Sequence, residues 1–147
     1  LYSRREDIAG NNMTEDVRIA DKETNVGLMT VAFRLHIVLL ILILSQALTG
    51  LGRLGYTFDG WALGASHQRT AEIGLLLAIA ILVLIIKAKP ANEKMKGMAI
   101  GMVGMWVFQF GLGEMMGSMS WMGMIHAPLA LMIFAHASMM MMKFKSE

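Results

Sequence analysis

Apolar residues gather in four long runs along the chain, each about 20 residues, separated by short polar stretches. The runs cover about 31–51, 66–87, 97–117 and 121–142. They show neither strand alternation nor one narrow apolar stripe, so the pattern predicts helices apolar on most sides. At about 1.5 Å per residue, 20 residues cross about 30 Å of hydrocarbon. The expected fold is therefore all-α: an integral membrane four-helix bundle running up-down-up-down through short connections. Residues 1–27 lack a sustained apolar period and read as a polar peripheral arm, leaving 28–147 as the bundle.

Charge sets the expected orientation. Lys87, Lys89, Lys94, Lys96, Lys143 and Lys145 fall on one side of this layout, against Arg53 and Arg69 near the other boundary. The positive-inside rule then places both termini and the 88–96 loop in the cytoplasm, with the chain in the cell membrane. Arg34 near the start of the first run suits a snorkelling position. Tyr56 and Trp61, in the loop between the first two runs, suit the aromatic belt. No internal repeat is expected.

Composition narrows the chemistry. The chain is 56% hydrophobic, carries a net charge of +2 and has no cysteine. Disulfides, iron–sulfur clusters, thiolate zinc sites and covalent haem attachment are excluded. The basic residues sit beside apolar runs, where topology explains them, so no nucleic-acid partner is expected. No nucleophile–base set, phosphate loop or HExxH motif appears, which argues against a hydrolase or nucleotide enzyme. Sixteen methionines offer soft ligands for Cu(I), but they form no tight MxxM cluster outside the spans and read as packing.

All four histidines, His36, His67, His126 and His136, lie within or at the mouth of an apolar run. Metal-ligating side chains at such depth are rare and often functional. In an antiparallel layout His36 and His136 share a depth at the cytoplasmic side, and His67 and His126 share one at the outer side. Two imidazoles from separate helices are what a six-coordinate haem iron requires. His126 and His136 stand ten residues apart, about 15 Å along a helix and about 80° short of three full turns. Each then faces a different neighbour, with Pro128 adjusting the local twist. The cofactor expected is haem b, one or two copies, with all four histidines as candidate iron ligands.

Small residues surround these positions. Thr70, Ala71, Gly74 and Ala78 follow His67 along one face, and Ala130 and Ala137 follow His126. Such rows give clearance to a flat macrocycle, or serve helix–helix packing. Gly97 with Gly101, and Gly113 with Gly117, make small-xxx-small pairs. Glu72 and Glu114 lie near the outer end as candidate proton or second-shell groups, or as interfacial carboxylates. Gln46 and Gln109 read as interhelical hydrogen-bonding amides.

Four short-looped helices with His67 and His126 at the outer mouths of the second and fourth resemble one half of the haem A synthase family. SHQRTAE at 66–72 is similar to that family's His-Arg segment opening a second helix. The resemblance implies a four-helix haem bundle with His67 and His126 as the ligand pair. The family usually places a glutamate shortly before that histidine, and Leu63 to Ser66 offer none. The additional His36 and His136 look more like dihaem four-helix b-type cytochromes. Three functions are therefore expected. The first is a membrane b-type cytochrome carrying electrons through bis-histidine haem, as a subunit of a respiratory or oxidase complex, with lipid, neighbouring subunits and a quinone as partners. The second is a cofactor-free accessory subunit, and the third a synthase-like haem-modifying enzyme.

Overall fold

The computed structural model describes residues 23–53 and 60–145. The arm as far as residue 22, and Gly55, Tyr56 and Asp59 of the first loop, lie outside the described residues. The described chain is helical: α1 (Val26–Arg53), α2 (Gly60–Ala88), α3 (Lys94–Met115), a 3-10 turn (Ser120–Met122) and α4 (Gly123–Phe144). All four helices are long and apolar enough to cross a membrane. No more than 28% of any span's apolar window is buried inside the protein. Leu48, Leu76, Val107 and Leu131 point outward, forming the surface that a bilayer solvates at little cost.

The ends differ from the hydropathy estimate where capping chemistry decides. α1 starts at Val26, inside the segment expected to be arm, because the Leu28 N–H donates to Asn25 Oδ1 at 3.0 Å. The Asn25 N–H donates to the Ala88 carbonyl at 2.8 Å, and the Thr24 hydroxyl donates to the Lys89 carbonyl at 3.1 Å. The start of α1 is thus tied to the end of α2. α2 stops where Lys89 turns left-handed, with φ of 51°, just before Pro90. Upstream, α2 reaches back to Gly60, so Trp61 belongs to its first turn rather than to a loop.

Sequence neighbours pack side by side, and α4 closes the ring onto α1. Among the described residues the diagonal partners, α1 with α3 and α2 with α4, make no close backbone approach. Alanines at the contacts let the helices come near. Ala32, Ala88 and Ala137 are fully buried, and Ala78 and Ala99 nearly so.

The packing contains a repeat that residue identity conceals. Buried Ala32, His36, Leu39 and Ile43 of α1 are followed 63 positions later by buried Met95, Ala99, Met102 and Trp106 of α3. Buried Gly74, Ala78, Ile81 and Ile85 of α2 are followed 59 positions later by Ile133, Ala137, Met140 and Phe144 of α4. The same offsets relate Gln46 to Gln109, Gly50 to Gly113, and His67 to His126. The bundle is thus two similar helical pairs. The sequence reading found no repeat because only the Gln, Gly, His and Ala positions keep their identity, while the other core positions conserve only burial.

Candidate functional site

Three of the four histidine rings lodge against a glycine. A Cβ on Gly50 would lie 3.2 Å from His67 Cε1, one on Gly113 3.4 Å from His126 Cε1, and one on Gly101 3.6 Å from His136 Cε1. Each glycine removes the side chain that would push the ring off the neighbouring helix. The two small-residue pairs along α3 and the turn after it are therefore split in use: Gly101 and Gly113 receive histidines, while Gly97 and Gly117 face open space.

His67 and His126 come together across the diagonal of the bundle. Their ring centroids are 6.3 Å apart, with the planes at 54°. Their helices are held by matching clamps. Gln46 Nε2 donates to the His67 carbonyl at 2.7 Å, and Gln109 Nε2 donates to the His126 carbonyl at 3.0 Å. Gln46 also donates to Thr70 Oγ1. Thus both amides bridge helices, as expected of them. The His67 ring has a further partner, Thr49 Oγ1, 3.1 Å from Nδ1.

His36 and His136 serve differently. His36 is fully buried, and its Nε2–H donates to the Ala137 carbonyl of α4 at 2.8 Å. Its ring packs on Phe144 at 5.3 Å, and Phe144 meets Phe33 at 5.8 Å. The Nε2–H of His136 donates to the Met98 carbonyl of α3, also at 2.8 Å. A carbonyl can only accept, so both rings carry their proton on Nε2. These two histidines turn to different helices, and the nitrogen each commits to a carbonyl is the one His67 and His126 keep away from their glycines.

The small row after His67 is filled by protein. The Trp106 indole lies so close to Gly74 that a Cβ there would stand 2.4 Å from its Cη2. Buried Ala78 and Ala137 likewise serve packing. Glu72 pairs with Arg69 at 3.0 Å on the surface of α2, and Glu114 is exposed.

His67 and His126 are the two residues whose rings could share one haem iron. An iron about 2.0 Å from one nitrogen of each imidazole holds the ring centroids about 6.3 Å apart, because that nitrogen lies about 1.15 Å from its own ring centre. The observed spacing meets this requirement. Among the described residues Trp106 Nε1, Gln109 Oε1, His126 Nδ1 and, at the other histidine pair, His36 Nδ1 are buried without a hydrogen-bond partner. Buried polar atoms of this kind need a reason for being left so, and a bound group is one. Among the described residues no three His, Asp or Glu side chains gather as a metal centre. Sequence reasoning missed Thr49, Gly50 and Trp106. The signal available for the glycine was the recurring Gln-xxx-Gly, at 46–50 and 109–113, each followed within 17 residues by a histidine.

No family model, curated protein or solved structure matches this chain.

Proposed function

We propose that this protein is a membrane b-type cytochrome that binds one haem between His67 and His126. The observation that carries this reading is the approach of the two rings, 6.3 Å between centroids, a spacing compatible with one nitrogen of each reaching a shared iron. When bound, haem b supplies one-electron chemistry, and two protein ligands leave no iron position for oxygen. The chain's own part is to bind and orient. Gln46 and Gln109 hold the two histidine-bearing turns against α1 and α3. Gly50 and Gly113 let the rings lie flush with those helices. The surrounding apolar helices exclude water, which keeps the redox centre in a low dielectric.

One haem is favoured over two, because His36 and His136 each give the Nε2 proton to a backbone carbonyl. In the proposed arrangement the helices run up-down-up-down. The tie between Asn25 and Ala88 and the contact of His36 with Ala137 support this layout. The lysines at 87–96 and 143–145 support a cytoplasmic position for both termini in the cell membrane. Electrons would pass to or from other subunits of a respiratory or oxidase complex, or a quinone. Glu72, paired with Arg69 at the same end, would be the carboxylate to take a proton there.

A second reading, a cofactor-free accessory subunit, draws support from Trp106 filling the Gly74 groove and from the structural bonds of His36 and His136. A synthase-like enzyme draws less, since no glutamate precedes His67 in the Leu63–Ser66 stretch. A reduced-minus-oxidised visible spectrum of the purified protein separates the first two. The cytochrome gives a sharp α-band and one haem per chain by pyridine haemochrome assay. A colourless protein that stays colourless on titration with haemin would leave the accessory reading standing.

A further inference from the structure

We infer that Thr49 is a positioning residue that fixes the proton of His67 on Nδ1, and that the two histidines of the pair are thereby made inequivalent. The inference about the proton stands on its own; its consequence for iron rests on the haem reading above. Thr49 Oγ1 lies 2.8 Å from the Ser45 carbonyl, 3.3 Å from the Gln46 carbonyl and 3.1 Å from His67 Nδ1. A hydroxyl has one proton to give, and a carbonyl can only accept. The short bond to Ser45 therefore takes the hydroxyl proton, and the oxygen is left to accept. His67 Nδ1 must then be the donor. In a neutral imidazole this places the lone pair on Nε2, the form in which a histidine ligates through Nε2. His36 and His136 are in the opposite form, as shown by their bonds to carbonyls.

The repeat supplies the control. Thr49 is followed 63 positions later by Leu112, which is buried and has no polar atom in its side chain. The Gln109 backbone carbonyl interacts with the His126 ring, and no side chain hydrogen-bonds His126 Nδ1. One member of the pair thus has a side-chain hydroxyl on Nδ1, and the other has only backbone beside it. An imidazole whose far N–H is hydrogen-bonded is the more basic ligand and the better oriented one. His67 is the anchoring ligand and His126 the weaker one.

The test uses the full chain in lipid nanodiscs. In the haem-free protein, 15N NMR of labelled histidine reads each tautomer. The expected result is Nδ1–H for His67 and Nε2–H for His36 and His136. Thr49→Val should convert His67 to a mixture or to Nε2–H, and Thr49→Ser should preserve the native form. With haemin added, Thr49→Val should raise the reduction potential, Leu112→Thr should lower it, and Thr49→Ser should leave it unchanged. A wild-type His67 protonated on Nε2, or a Thr49→Val protein with an unchanged tautomer, overturns the inference. Failure of the wild type to take up haemin sinks the cytochrome reading, while the tautomer measurement still decides the role of Thr49.

Discussion

Lys89 holds a left-handed backbone, φ 51°, that a side chain with a Cβ adopts at a cost and glycine adopts freely. Lys89→Gly should therefore stabilise the protein by about 0.5–1 kcal/mol, read as a rise in thermal midpoint in detergent. The opposite sign is expected at Gly74. A Cβ there would meet three carbons of the Trp106 indole at 3.0 Å or less, and the ring is buried, so it has little room to withdraw. Gly74→Ala should destabilise by about 1–3 kcal/mol. Pairing it with Trp106→Leu should recover much of the loss, a coupling that a double-mutant cycle would expose. At the proposed ligand pair, His67→Ala and His126→Ala should each abolish the spectrum expected of a bis-histidine haem, whereas His36→Gln should retain it. Loss of haem from the His36 variant alone would point to the other end of the bundle.

Between elements, the two glutamine clamps do the same work in the two helical pairs. Each amide donates to the backbone carbonyl of the histidine on the next helix. Interhelical hydrogen bonds in membranes contribute about 0.6 kcal/mol on average. Gln46→Leu and Gln109→Leu should thus weaken folding by similar small amounts, with Gln46 the larger because it also serves Thr70. Unfolding titrations of both variants in mixed micelles would measure the difference. The interhelical role of these amides was legible from their placement in apolar runs, since a buried amide must find a partner. Which carbonyl each would take was not, because that depends on the rotation of two helices about their own axes. The extent of α2 back to Gly60 was hidden for another reason: hydropathy marks the part of a helix suited to lipid, and a helix continues past it wherever its backbone bonds are satisfied.

For the whole molecule, the pairwise repeat and the short 89–93 connection predict that the two halves associate when made separately. Coexpressed fragments 1–91 and 92–147 should copurify, with α1 and α4 closing the ring through His36 and Ala137. Recovery of either fragment alone under conditions that keep the intact bundle folded would count against that prediction. Orientation is open to direct measurement because the chain has no cysteine. Glu93→Cys should react with an impermeant maleimide only from the cytoplasmic side, and Ser118→Cys only from outside.

Periodicity and length alone determined that this chain is four apolar helices, since apolar runs of this size satisfy their backbone in lipid only by becoming helical. The same reading singled out the four histidines, because polar rings in such runs are conspicuous. It set them in two pairs at matched depths and favoured His67 with His126. Only the tertiary structure sorted them, bringing His67 and His126 to 6.3 Å and giving His36 and His136 to backbone carbonyls. Depth follows from counting residues along one helix. Which nitrogen faces which neighbour depends on azimuth, on a glycine that clears the way and on a hydroxyl within hydrogen-bond distance, and these lie on other helices.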